Sequence, residues 1–249
     1  MGKIIHANFN SKIKLIKKTT AIIAAGGTGS RMKLEFNKIF LSVEDKPILS
    51  YTLDVFENSP VIDGIVLVCN SLDFELCKEI VDEFKYKKVI DIVVGGATRQ
   101  ESVRNGLKAV PSSSEIVVVH DAARPLVTNE MIENTIDEAY KVGAASVGVQ
   151  PVDTVKRVRG TTIAETIDRN SLVLIQTPQA FKREILVNAH EIAKKNHQLV
   201  TDDCALCELI GQPVAVVPGS KLNIKLTTPE DFNLIMLYLS LFEKEDDYV

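Results

Sequence analysis

An α/β fold, with a mostly parallel sheet covered by helices on both faces, is what the sequence predicts, on three observations. From Thr20 onward, short β-branched runs alternate with longer segments whose apolar residues recur at helical spacing. The first such run passes straight into a glycine-rich turn at 26–29. Hydrophobic residues make up 45% of the 249, ample for a buried core. Alternation of this kind favours parallel strands joined by helical crossovers.

Taken in order, residues 1–18 carry five lysines and no acid, and the first acidic residue is Glu35. That extension reads as a solvated tail or an added edge strand. Strands are expected at 21–25 (AIIAA), 62–69 (IDGIVLVC), 89–94 (VIDIVV), 115–120 (EIVVVH) and 144–149 (AASVGV). Between them, PILSYTLDVFEN starts a helix with Pro47 in its first turn, and TNEMIENTIDEAYKVG has Thr128 as N-cap and Gly143 as stop. The alternation breaks between about Pro151 and Leu174, where PVDTVKRVRGTTIAETIDRNSLVL reads as extended strands around Arg159-Gly160. With little core of its own, this segment is expected to project as a β-arm and pack on a partner, a second copy of the chain being the natural one. Beyond it the helical pattern resumes, VAVVPG gives another strand, NIKLTT follows, and a last helix begins near Pro229. The simplest partition is one domain over 19–249 that includes the arm at about 151–174, preceded by the extension at 1–18.

Composition excludes several classes. No apolar run approaches the roughly 20 residues that span a bilayer, and no apolar N-terminal segment precedes a cleavage site, so a cytoplasmic protein off the membrane is expected. A net charge of -4 gives no general attraction to nucleic acid. Cys69, Cys77, Cys204 and Cys207 are too few for a disulfide scaffold and do not form two matched ligand pairs. Reduced thiols are expected, the Cys204-x-x-Cys207 pair lying in an apolar, helix-like stretch.

Three clusters could carry chemistry. Gly26-Gly27-Thr28-Gly29-Ser30-Arg31 follows the first strand, and glycines there bring backbone N–H groups close to phosphate oxygens. The spacing matches neither the dinucleotide fingerprint nor the P-loop, but Arg31 and Lys38 suit a triphosphate. Next, GGATRQESVRNGL sets Gly95 and Gly96 after a strand, with Arg99 and Ser102 opening a helix; these can read a base or ribose, although capping alone would explain Ser102. Third, VVVHDAARP places Asp121 and Arg124 past a strand's carboxyl end, where ligands bind in open α/β sheets. Asp121 could hold magnesium through oxygen, or simply cap a turn and pair with Arg124. His120 reads as a packed or hydrogen-bonded strand-end residue.

Together with PVDTVK, TIDRN, QTPQAF, VTDDCAL and GSKLNIKLTTPEDF, these clusters resemble the 2-C-methyl-D-erythritol 4-phosphate cytidylyltransferases of the non-mevalonate isoprenoid pathway, in order from Thr20 to the last helix. The resemblance implies a Rossmann-like nucleotidyltransferase domain whose β-arm exchanges across a homodimer, and CMP transfer from CTP with magnesium. It further implies that Ala24, Ala25, Gly26 and Gly29 line the CTP pocket, while Arg31 and Lys38 hold the triphosphate. Gly96, Arg99 and Ser102 would lie near cytosine and ribose, Asp121 would bind the metal, and Ala122 and Arg124 would complete that wall. Thr154 and Arg169 on the arm would reach the neighbouring subunit's acceptor phosphate; Thr177, Thr201 and Lys225 would face the reacting groups, Lys225 orienting that phosphate. The sequence departs from the family at EFNKIFLSV, where Asn37 and Ile39 flank Lys38 in place of proline and glutamine. Because asparagine does not fix φ as proline does, a different loop stiffness is expected there, with altered CTP affinity or loop mobility as its consequence.

Within the same fold, a ribitol 5-phosphate cytidylyltransferase shares the glycine loop and QTPQ, but DAARP and IDRN look more like the erythritol enzymes. A non-catalytic nucleotide-binding relative would not need Arg31, Lys38, Asp121 and Lys225 as a set. A dinucleotide-dependent oxidoreductase lacks its correctly spaced glycines and acid.

Overall fold

In the computed structural model, which describes residues 18–27 and 36–246, the strands are β1 (Thr19–Ala24), β2 (Ser42–Val43), β3 (Lys46–Pro47), β4 (Gly64–Cys69), β5 (Val89–Val94) and β6 (Ile116–Asp121). They continue with β7 (Ala144–Val149), β8 (Lys156–Arg159), β9 (Thr162–Thr166), β10 (Leu174–Lys182) and β11 (Ala215–Pro218). The helices are α1 (Ile48–Asn58), α2 (Phe74–Glu83), α3 (Arg99–Ala109), α4 (Asn129–Val142), α5 (Arg183–Lys195), α6 (Asp203–Leu209) and α7 (Pro229–Asp246). Gly29, Arg31 and the lysine-rich stretch 1–17 lie outside the described residues.

The main sheet runs β11-β7-β10-β6-β1-β4-β5, parallel throughout except for β10, which is antiparallel to both neighbours. Its two faces follow from the period of a strand, which sends successive side chains to opposite sides. Ile22, Val66, Val68, Val117 and Val119 pack with Val103 and Leu107 of α3, Leu186 of α5 and Cys204 and Cys207 of α6. On the other face Ala21, Ile23, Ile65, Leu67 and Val118 meet Leu53 and Phe56 of α1, Ile80 of α2, Ile132 and Ile136 of α4 and Ile235 of α7. The α/β class with helices on both faces is therefore what the chain adopts.

Helix boundaries follow local chemistry. Thr128 Oγ1 accepts the Met131 N–H at 3.3 Å to open α4, and Gly143, at φ 109°, ends it in a conformation that favours glycine. Pro47 sits one residue earlier than expected, as the residue capping α1 and the end of β3.

One expectation needs correction. Helical pattern does not resume directly after the arm: QTPQAFK belongs to β10, buried from Gln176 to Phe181. A strand covered on both faces shows no alternation of apolar and polar residues, so it left no period to read. NIKLTT at 223–228 forms no regular element; its Leu226 N–H bonds the Ala123 carbonyl at 2.8 Å, tying the segment to the loop after β6.

The turn at Arg159-Gly160 joins β8 to β9 in an antiparallel pair separate from the main sheet, with every residue of both strands exposed. Among the described residues, no helix is long and apolar enough to cross a membrane.

Candidate functional site

After β1 the chain adds β4 and β5 on one side and then returns to lay β6 on the other, so strand order reverses at β1. Crevices beyond the carboxyl ends of strands at such a reversal are where ligands bind in open α/β sheets. Register sets Ala24, the last residue of β1, opposite Asp121, the last of β6. The site grows from that pair.

Asp121 is 7% exposed and meets three cations. Lys225 Nζ lies 2.7 Å from Oδ2, Arg99 Nε 3.4 Å from Oδ1, and Arg124 Nε 3.9 Å from Oδ2. Burial alone would raise the carboxyl's pKa, but Arg99, Lys225 and Arg124 outweigh it and hold the group well below the usual carboxylate range. The Asp121 N–H donates to Thr177 Oγ1 at 3.1 Å.

Each cation is delivered by a different element. Arg99 opens α3, whose cap is Thr98 Oγ1 accepting the Glu101 N–H at 3.1 Å. Arg124 follows β6 and donates to the Asn223 carbonyl at 2.7 Å. Lys225 comes from the irregular 220–228 segment, which the Leu226 to Ala123 bond draws against the turn after β6 and the fully buried Asn223, donating to the Thr177 carbonyl at 2.9 Å, draws against β10. His120 beneath them is packed, as expected: its Nε2 is 3.2 Å from the Arg124 carbonyl and its ring 5.0 Å from that of Phe56. Burial pushes its pKa down to about 3, so the imidazole is neutral.

Gly95 and Gly96 press against the start of α3. A Cβ on Gly96 would fall 2.4 Å from Glu101 Cβ, and one on Gly95 would fall 2.6 Å from Ser102 Oγ. Only glycine permits that approach, which lets the Gly96 N–H donate to Ser102 Oγ at 3.1 Å. Ser102 thus holds the loop, while Thr98 does the capping.

Lys38 lies in a 3-10 turn at 38–40 and is 8% exposed. Asn37, which stands where the family has proline, is tied down by its side chain. Its Nδ2 donates to the Ala25 carbonyl at 2.8 Å and to Asp73 Oδ2 at 2.9 Å, and its φ is -70°, the value proline would impose.

Two cavities open on this cluster. One, of about 360 Å³, is lined by Ala24, Ala25, Gly26, Gly96, Arg99, Ser102, Asp121 and Lys225, with Lys38 from the side. The other, of about 320 Å³, is lined by Arg99, Asp121, Arg124, Thr177, Thr201 and Lys225. Arg99, Asp121 and Lys225 belong to both. Ala122 is fully buried and lines neither; its N–H bonds the Ala24 carbonyl at 3.0 Å, and Ala123 lines the first cavity in its place. Thr154 and Arg169 are exposed and also line neither, Arg169 Nη1 donating to the Val152 carbonyl. Gln176, Gln179 and Asp202, to which the sequence motifs assigned no individual part, line the second cavity, and Asn37 lines the first. Gln176, Gln179 and Asp202 sit inside QTPQAF and VTDDCAL, so the signal was present in the motifs.

The thiols stand apart from this chemistry. Cys204 and Cys207 are buried in α6, and burial raises both pKa values, that of Cys207 to about 12.

Comparison with known proteins agrees on a single family. The family model for 2-C-methyl-D-erythritol 4-phosphate cytidylyltransferase matches residues 19–240. An enzyme of that name from Clostridium acetobutylicum is 49% identical over 213 residues, covering 85% of this chain and 93% of its own. One from Desulforamulus reducens is 46% identical over 222 residues, covering 88% of this chain and 94% of its own. The crystal structure of 4-diphosphocytidyl-2C-methyl-D-erythritol synthase from Anaerococcus prevotii aligns with a TM-score of 0.80 at 34% identity, over 90% of this chain and 99% of that one. With its strand-end cluster in place and matches that run nearly from end to end, the chain belongs to the 2-C-methyl-D-erythritol 4-phosphate cytidylyltransferase family.

Proposed function

We infer that the protein is a cytidylyltransferase that moves CMP from CTP to 2-C-methyl-D-erythritol 4-phosphate, giving 4-diphosphocytidyl-2-C-methyl-D-erythritol and pyrophosphate. The observation that carries this reading is the pair of cavities meeting at Arg99, Asp121 and Lys225. A transfer between two anionic substrates needs one chamber for each and fixed charge where they meet.

An acceptor phosphate oxygen attacks the α-phosphorus of CTP as the bond to pyrophosphate breaks, so no side chain need act as nucleophile. The glycine-lined cavity takes CTP, with Gly96, Arg99 and Ser102 toward the nucleoside and Lys38 and Arg31 toward the triphosphate. The second cavity takes the acceptor, with Thr177, Thr201 and Arg124 in its wall and Lys225 placed to hold the phosphate beside the α-phosphorus. Removing water from such a site strengthens each cation against the charge that develops in transfer.

The donor set fits magnesium. No group of three or more His, Cys, Asp or Glu side chains gathers among the described residues. Magnesium, however, commonly takes one or two carboxylates and completes its shell with phosphate and water. Asp121, kept ionised, is the carboxylate that would hold it, and the ion would supply charge neutralisation at the triphosphate.

We read the chain as one nucleotidyltransferase domain over 19–249, with the arm at about 151–174 and the lysine-rich extension at 1–18 before it. The exposed arm completes the site across a homodimer, Thr154 and Arg169 reaching the acceptor of the neighbouring subunit. The test is pyrophosphate release with CTP and magnesium, comparing 2-C-methyl-D-erythritol 4-phosphate with ribitol 5-phosphate at equal concentration. Turnover with the first is expected; preference for the second would keep the chemistry and replace the acceptor, and release with neither would overturn the reading.

A further inference from the structure

Arg99 faces both cavities, yet its shortest ionic contact points away from them. Its Nη1 donates to Asp203 Oδ2 at 2.6 Å, while its Nε is 3.4 Å from Asp121 Oδ1. Asp203 stands in the first turn of α6, is 1% exposed, and lines neither cavity. Its Oδ1 has no hydrogen-bond partner and lies 3.6 Å from Nε2 of His190, which is 2% exposed on α5 and whose two ring nitrogens also lack hydrogen-bond partners.

A carboxylate this deep is tolerated only where a cation answers it, and Arg99 is that cation. Were Asp203 absent, the planar guanidinium would be free to turn its fork onto Asp121 and pair with both oxygens at once. The long contact from Nε to Asp121 Oδ1 is what remains when the other end of the fork is held back.

We propose that Asp203, backed by His190, is a positioning residue that anchors the Arg99 guanidinium and keeps it from closing onto Asp121. Resting on the cytidylyltransferase reading for its consequence, this anchor leaves Asp121 Oδ1 lightly engaged and fixes the orientation in which Arg99 meets the nucleotide. Asp203 acts through Arg99 and never touches substrate.

The first variant is Asp203→Asn, which keeps the shape and removes the charge. It is expected to lower kcat ~10-fold while KM for CTP stays within ~3-fold, the size of one lost charge-assisted hydrogen bond. In an Arg99→Gln background the same change is expected to have no further effect on kcat/KM, because no guanidinium is left to anchor. An equal loss in both backgrounds, or unaltered kinetics in folded Asp203→Asn, would overturn the proposal. If Asp203→Asn does not fold, His190→Leu replaces it, with a ~3-fold loss that again vanishes beside Arg99→Gln. A second readout does not depend on turnover: in a crystal structure of Asp203→Asn the Arg99 guanidinium is expected to pair with both Asp121 oxygens, where the parent protein holds it on Asp203. A guanidinium that keeps its parental orientation in Asp203→Asn refutes the anchor. A parent protein that releases no pyrophosphate refutes the proposed function instead, and the structural comparison still decides the anchor.

Discussion

The strand-end cluster and the β8–β9 arm are both rich in charge, and they are held in opposite ways. Asp121 is 7% exposed, with Arg99, Arg124 and Lys225 arriving from three different segments of chain. In the arm, Arg157 Nε meets Glu165 Oε1 at 2.7 Å, but both side chains are more than half exposed, where an ion pair contributes little. Val158 is 58% exposed and Ile163 62%, so the arm has no core of its own. The cluster inherits its geometry from a packed sheet; the arm must borrow geometry from whatever it packs on.

The sharpest way to break this comparison is Asp121→Asn. It preserves the shape and leaves three cations without their common anion, so kcat/KM with CTP should fall on the order of 10³-fold. Circular dichroism should show an intact fold. Activity retained within about tenfold would mean that the cluster is architecture and not the chemical centre.

A weaker effect is expected at the arm. Replacing Val158 and Ile163 together by serine removes apolar surface that is exposed in one chain and, in our reading, covered by a second. Sedimentation velocity should show loss of the dimer, and turnover should fall ~10-fold through the acceptor with CTP binding unchanged. A dimer that survives with full turnover would mean that the arm is an ornament of its own subunit.

This contrast also explains what the sequence revealed. Parallel strands β1, β4, β5, β6 and β7 were legible because each is a short β-branched run set off by helical segments, and β5 and β7 fall at 89–94 and 144–149 as read. β10 was not legible: it is buried on both faces and carries Pro178, so it shows neither alternation nor unbroken β propensity. The site's charged residues could be named from motifs, but their partnerships could not. Asp203 lies 104 positions from Arg99, and nothing local to either residue signals that they meet. Ala122 illustrates the reverse limit, since a one-residue step through the turn after β6 decides which side chain lines a cavity and which is buried.

Asn37 gives a smaller test at the edge of the cluster. Because two side-chain hydrogen bonds hold a backbone already at proline-like φ, Asn37→Ala should raise KM for CTP about threefold, and Asn37→Pro should recover part of that loss. Identical kinetics in all three proteins would show that the turn at Lys38 is held by other contacts.

The last effect falls on stability and leaves turnover alone: a pH dependence carried by His120. Burial, the main cause, pushes its pKa from 6.5 to about 3 despite the attraction of Asp121, so the folded protein keeps the ring neutral where the unfolded chain protonates it. Between those two values the unfolded state binds the extra proton, and stability therefore falls as pH falls. From about pH 7.5 to about pH 5 this residue should remove ~2 kcal/mol from the unfolding free energy, with the cluster's carboxylates still ionised throughout. Urea unfolding of the parent protein and of His120→Gln at both pH values isolates the contribution, because Gln cannot titrate and can still donate to the Arg124 carbonyl. The variant's curve should be flatter by that amount. Parallel curves would mean that the ring accepts its proton in the fold, and that the floor beneath Asp121 is more polar than its packing against Phe56 implies.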